Sequence, residues 1–203
     1  MKLNKENNPR SGAKGFTLIE LLIVIAILAV LSVVVILTLN PAELLKQARD
    51  STRVSDMATY KSAIALYLAD VTTPFIGTST NCYAHSSSTL NLSNCQFQGR
   101  FATGATTVVV TSSVAVNGYS ATTFGWMPIN FSGISSGAPI SVEPIDPTNN
   151  ATYFYAYRPN GTVYKITVNM ESGKYQQGGS NDVESTDGGI SSSTYEVGTD
   201  LAL

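Results

Sequence analysis

Residues 15–40 read GFTLIELLIVIAILAVLSVVVILTLN, and the interpretation of the chain turns on this stretch. From Leu21 to Leu39 it contains no charged residue, which at a helical rise of 1.5 Å per residue is about 28 Å, enough to cross the hydrocarbon core of a bilayer. The preceding residues, MKLNKENNPRSGAK, carry Lys2, Lys5, Arg10 and Lys14 against Glu6 alone. The following segment is balanced, with Glu43, Lys46, Arg49, Asp50, Arg53 and Asp56. Cations on one side of a span hold that side in the cytoplasm, so the long C-terminal part is expected outside. One residue does not fit a plain span. Glu20 lies near the start of the apolar run, where a carboxylate is costly and usually marks function.

A secretory signal has a shorter apolar core of about 7–15 residues and a small-residue cleavage site after it, which Asn40-Pro41-Ala42 does not supply. A simple signal anchor explains the length and the charge bias, but not Glu20. The string Gly15-Phe16-Thr17-Leu18-Ile19-Glu20, behind a basic leader and ahead of a full-length span, resembles the processing signal of the type IV pilin superfamily. That resemblance implies that a membrane prepilin peptidase cuts after Gly15 on the cytoplasmic side and that the new amine of Phe16 is methylated. It also implies that Glu20 meets the Phe16 amine of a neighbouring subunit during assembly. Charge and setting agree with this, because a carboxylate and an ammonium in a low-dielectric environment each need a partner. A helix running through Phe16 would put Glu20 on the same face one turn along. In an unassembled subunit, Glu20 reaching the headgroups from its own helix is the alternative.

Beyond the span, Asn40-Pro41 predicts a break. Either the proline kinks or melts a continuous helix, as in many pilins, or it opens a second helix with Asn40 as its cap. From Glu43 to about Val71 the pattern is amphipathic. Met57, Tyr60, Ile64, Tyr67, Leu68 and Val71 recur at spacings of three and four, with Arg49, Arg53 and Asp56 off that stripe. A helix from Phe16 to Leu68 would be about 80 Å long, and Thr72-Thr73-Pro74 ends it.

The remainder reads as strands and loops. Thr106–Val116 is rich in β-branched residues. Thr152–Arg158 and Thr162–Val168 flank Pro159-Asn160-Gly161 as a hairpin. Tyr153, Tyr155 and Tyr157 share one face, expected to pack on the helix or a neighbouring strand. Cys82 and Cys95 are the only cysteines, and in an exported domain they read as one disulfide, the alternative being two separate buried thiols. Asp146-Pro147 resembles the dipeptide ahead of the sheet in major pseudopilins of type II secretion, but Thr148-Asn149 replaces the Trp-Gly that often follows there. Asp182, Glu184 and Asp187 are weak calcium candidates, and a solvated acidic turn accounts for them as well. His85, the single histidine, falls in a Ser-rich stretch and reads as exposed. Asn91, Asn130, Asn150 and Asn160 match the N-x-S/T acceptor pattern, which is common in Asn- and Thr-rich sequences.

No nucleophile motif, phosphate-binding glycine loop or metal-ligand spacing is present, so no enzyme and no cofactor are expected. A net charge of −2 offers nothing to nucleic acid. The expected fold is α+β and pilin-like, a lollipop whose long N-terminal helix packs on a small antiparallel sheet. Its segments would be a cleaved leader at 1–15, a polymerisation helix at 16–39, an amphipathic helix at 40–73 and an exported β-rich head at 74–203. The resemblance implies a single-pass precursor with a cytoplasmic N-terminus, assembled into an extracellular or periplasmic filament. Its partners would be further copies and other pilins, the prepilin peptidase, an inner-membrane assembly platform and, before assembly, membrane lipid. A type IV pilus subunit is the first reading, a type II secretion pseudopilin the second, and an uncleaved membrane-anchored binding domain the third.

Overall fold

The computed structural model describes residues 15–85, 95, 99–102, 104, 107–111 and 125–203. Lys2, Lys5, Arg10 and Lys14, the 112–116 end of the β-branched run, and Asn91 lie outside these residues. The fold is α+β, with an apolar helix, a second helix and a five-stranded sheet, as in pilins. The chain divides after Pro41 into two units.

The first unit holds helix α1, Leu18–Leu39. Its described large apolar side chains are exposed, and Leu18–Ile36 is long and apolar enough to cross a membrane. The hydroxyls within it are satisfied by its own backbone. Ser32 Oγ donates to Leu28 O at 2.7 Å and Thr38 Oγ1 to Val34 O at 3.0 Å, which spares an apolar solvent any unpaired donor. Asn40 closes α1 in the left-handed conformation, with φ 40°, a backbone state that asparagine tolerates better than most residues.

Helix α2 spans Pro41–Asp70. Of the two expectations for Asn40-Pro41, the structure takes the second form for the proline, which occupies the first helical position, where its missing N–H costs nothing. The single helix expected from Phe16 to Leu68 is therefore divided at Asn40.

Strands β1 (Asn81–His85), β2 (Thr107–Thr111), β3 (Tyr155–Asn160), β4 (Val163–Val168) and β5 (Tyr195–Gly198) form one sheet in the order β2-β1-β3-β4-β5. The sheet is mixed rather than wholly antiparallel, because β1 and β2 run parallel with Asn81 opposite Thr107. A parallel pair needs a long crossover connection, and the Cys82–Cys95 disulfide ties that connection back to β1. The expected hairpin is β3–β4, with a turn one residue later than expected. Asn160 pairs with Val163, and Gly161 takes φ +67° at the first turn position, as a type II′ turn requires.

Alternation along the strands sends side chains into two cores. On one face, Tyr155, Tyr157 and Ile166 pack with Met57, Tyr60, Ile64 and Tyr67 of α2 and with Trp126–Phe131. Tyr60 meets Trp126 and Tyr155 edge-on, at 5.8 and 6.5 Å between ring centroids. On the other face lie the disulfide, Ala84, Phe101, Phe154 and Ala156.

The apolar stripe of α2 continues toward its N-terminus as charge. Asp50 and Arg53 fall at the next helical spacings before Met57 and are fully buried. Arg53 had been expected off the buried face. It donates Nε and Nη2 to the two oxygens of Asp146 at 2.7 and 2.8 Å, Nη1 to Asp50 at 2.8 Å, and Nη2 also to Glu171. Asp50 accepts from the backbone N–H of Glu171 and Ser172 and from the Ser172 hydroxyl, at 2.6–2.9 Å. Arg49 and Thr148 complete the ring on Glu171. Three carboxylates face two guanidiniums, and the surplus negative charge is met by backbone donors, including Thr148 and Asn149 N–H on Asp146. Burial alone would raise the Glu171 pKa, but hydrogen bonds from Arg49, Thr148 and Arg53 outweigh it and hold the carboxyl at about 2.

Glu143 is the opposite case. It is 1% exposed, and only its Oε2 accepts hydrogen bonds, from Trp126 and Met127 N–H at 2.8 and 3.2 Å. Burial pushes its pKa up to about 8 against those two donors. The approach is close enough that a Cβ at Gly125 would collide with the carboxylate.

Replacing Arg53 by Met should cost on the order of 3–5 kcal/mol, because it leaves buried carboxylates without their cation. Urea unfolding of the full-length protein in detergent measures this, and a loss below about 1 kcal/mol would mean that the ring does not hold α2 to the sheet. Stability should also fall on both sides of about pH 4.5, the ordinary carboxyl value. Below it, Glu171 is protonated in the unfolded chain before the native one, so its contribution disappears as pH falls toward 2. Above it, native Glu143 retains a proton that the unfolded chain releases, so stability declines toward pH 8, by on the order of 4 kcal/mol. Glu143→Gln should flatten the upper limb and leave the lower one in place.

Candidate functional site

The residues singled out at the head of the span are Gly15, Phe16 and Glu20. Gly15 and Phe16 precede α1, and Phe16 is 92% exposed. Nothing lies within 4 Å of where a Cβ on Gly15 would sit. The described fold therefore has no steric need for glycine there.

Thr17 is the N-cap of α1, with extended backbone at φ −78°, ψ 151°. Its hydroxyl accepts from Glu20 N–H at 3.2 Å, while Glu20 Oε2 accepts from Thr17 N–H at 2.8 Å and from the Thr17 hydroxyl at 2.7 Å. This is a reciprocal capping box, which satisfies otherwise orphaned donors and places a negative charge at the positive end of the helix dipole. Helical geometry does not extend back to Phe16, so Glu20 is not one helical turn along from it as expected. Glu20 folds onto Thr17 instead. The Thr17-x-x-Glu20 spacing ahead of an apolar run signals such a cap, and the sequence reading passed over it.

In the head, Cys82 and Cys95 are joined as a disulfide, buried against Ala84 and Phe154. The tyrosine face packs inward on α2 and its neighbours. Tyr155 donates its hydroxyl to Asp56 at 2.7 Å, Tyr157 donates to Ile76 O at 2.7 Å, and Arg53 lies 5.2 Å from the centre of the Tyr153 ring.

The three acidic residues of the C-terminal region are not gathered into one site. Asp182 accepts from Gly178 and Ser185 N–H, Glu184 from Met170 and Gln177 N–H, and Asp187 from Gly189 and Glu196 N–H. Each carboxylate holds a separate set of backbone donors. Among the described residues no group of three or more His, Cys, Asp or Glu side chains is placed to hold a metal ion. His85 is not in an exposed loop. It is the last residue of β1, 1% exposed and 3.2 Å from Asn149 Oδ1, and burial lowers its pKa. Asn130 and Asn150 use their carboxamide oxygens to cap the turns that follow them.

No curated protein and no solved structure matches the chain. The family described as the prokaryotic N-terminal methylation motif matches residues 10–36, a stretch that takes in Gly15, Phe16, the Thr17–Glu20 cap and nearly all of α1. The chain carries, over those residues, the signature of type IV pilins and pseudopilins.

Proposed function

We propose that the protein is a structural, non-catalytic subunit of a type IV pilus-like extracellular filament. In this reading it is made as a single-pass membrane precursor with a cytoplasmic N-terminus. Prepilin peptidase removes residues 1–15, Phe16 is N-methylated, and residues 16–39 enter the filament as its polymerisation helix. Residues 40–73 and 74–203 form the exported helix and head, and the partners are further copies, other pilins and an inner-membrane assembly platform. The methylation motif at 10–36, running directly into a helix of membrane-spanning length, carries the reading.

Glu20 then has two successive roles. In the single chain its carboxylate is held by Thr17. In the filament it receives the charged Phe16 amine of a neighbour, an exchange that desolvation favours because neither group can remain unpaired among apolar helices.

A type II secretion pseudopilin is the second reading, motivated by Asp146-Pro147. Two observations favour the pilus. Thr148-Asn149 stands where Trp-Gly often follows and is engaged with Asp146 and Glu171, and Asp182, Glu184 and Asp187 hold separate sets of backbone donors. Immunogold electron microscopy of sheared surface fibres separates the two. Labelled long fibres support the pilus, whereas label confined to the periplasm supports the pseudopilus.

Gly15→Val should leave a precursor that retains residues 1–15 and folds normally, and intact-mass spectrometry reads this directly. A mature chain starting with N-methyl-Phe16 from that variant would show that processing at this bond does not depend on Gly15. Glu20→Gln preserves the capping geometry but removes the charge. It should be processed normally yet yield at least about tenfold less sheared fibre, the equivalent of 1.4 kcal/mol of assembly energy. Wild-type fibre yield from Glu20→Gln would limit Glu20 to capping.

A further inference from the structure

Three strand ends meet along one margin of the head. Strand β3 starts at Tyr155, β4 ends at Val168 and β5 starts at Tyr195, and antiparallel pairing sets them side by side, with Ala156 opposite Thr167 and Val168 opposite Tyr195. The residues that enter and leave these strands line a cleft of about 410 Å³. Thr152 and Tyr153 come from the approach to β3, Met170 from beyond β4, and Ser192 from the approach to β5. The 173–186 loop closes the remaining side with Gln176, Gln177 and Glu184.

Glu184 is the only charged side chain among the described lining residues and is 4% exposed. Its two oxygens each accept one backbone N–H, from Met170 at 2.9 Å and Gln177 at 3.2 Å. The carboxylate is thus fixed in place, and each oxygen keeps a further lone pair. Gln176 Nε2 donates to Met170 O at 2.9 Å, which fixes that amide and leaves its oxygen as an acceptor. Thr152, Gln177 and Ser192 supply exposed hydroxyl and amide groups, and Tyr153 supplies an aromatic ring.

This composition points to a ligand class. No described lining residue is a cation, and the nearest guanidiniums, Arg53 and Arg100, are fully buried and committed to Asp146 and to backbone carbonyls, so a phosphate or carboxylate ligand would meet no available positive charge. One carboxylate already bonded to two N–H groups falls short of the six to eight oxygens that calcium takes. Vicinal hydroxyls, by contrast, both donate and accept, matching amides, hydroxyls and a fixed carboxylate, while the C–H face of a sugar ring fits an aromatic side chain. The volume also falls within the range of about 300–1,000 Å³ usual for small-molecule sites. We propose that this cleft binds a neutral sugar, giving the head a recognition function in addition to its structural one. The proposal rests on the head alone and is independent of how the N-terminus is processed.

Saturation-transfer NMR tests it on the full-length protein, solubilised in lauryldimethylamine oxide because that detergent has no sugar headgroup. The probes are cellobiose, lactose and N,N′-diacetylchitobiose at millimolar concentration. At least one should receive saturation on its ring protons. The Gln177→Ala/Ser192→Ala double variant, which alters two exposed side chains, should weaken that binding about tenfold, or about 1.4 kcal/mol, without changing the melting temperature. Ser192→Ala alone provides the same comparison, with a smaller loss, if the double variant melts early. No transfer to any of the three sugars would overturn the proposal, as would equal transfer in wild type and variants. Stabilisation by calcium chloride without sugar transfer would overturn it in favour of a cation.

Discussion

The Arg53 guanidinium is the point on which the head depends. It lies in the middle of α2, wholly out of water, and bonds to carboxylates from three separate parts of the chain: Asp50 on its own helix, Asp146 before β3 and Glu171 after β4. A buried ion pair repays its desolvation only when the geometry is good and the remaining lone pairs are filled. Here Asp146 takes two of the guanidinium's donors side by side, and the lone pairs left over on Asp146 and Asp50 accept backbone N–H groups. Such a ring is poor evidence of net stability, but it tolerates few alternative arrangements. It sets the position of α2 against the sheet, and with it which side of α2 faces Tyr60, Trp126 and Tyr155.

The two units solve the same problem differently. In α1 every described polar side chain is satisfied within one helical turn, by Thr17 and Glu20 on each other and by Ser32 and Thr38 on carbonyls behind them. A helix that must sit in lipid has only its own backbone to rely on. In the head, polar groups are satisfied across the fold, and a carboxylate such as Glu143 can be kept with one oxygen bonded and its proton held tightly. The capping box also means that Glu20 is not an unpaired charge awaiting a neighbour. Assembly, on the proposed reading, exchanges one partner for another, which makes a buried carboxylate tolerable both before and after.

Much of the head was legible where the signal is short-range. The β3–β4 hairpin follows from two β-rich arms around Asn160-Gly161, and the inner face of α2 from the spacing of Met57, Tyr60, Ile64 and Tyr67. The misreadings share one cause. His85 looked exposed because serines surround it in sequence, yet it closes a strand covered by the rest of the head. The sheet looked antiparallel because its clearest pair is a hairpin, whereas the parallel pairing of β1 and β2 depends on a connection that carries little pattern of its own.

The sequence by itself determined a helix of membrane-spanning length, the methylation motif at 10–36 and the existence of an amphipathic second helix. These rest on run length, periodicity and residue order, all of which are local. Only the tertiary structure decided that Asp50 and Arg53 lie inside rather than in water, because Asp146 and Glu171 are 93 and 118 residues away from Arg53. It likewise brought Tyr153, Gln176, Glu184 and Ser192 around one cleft. Whether a charge or an amide is buried depends on what the fold sets opposite it, and no spacing along the chain records that.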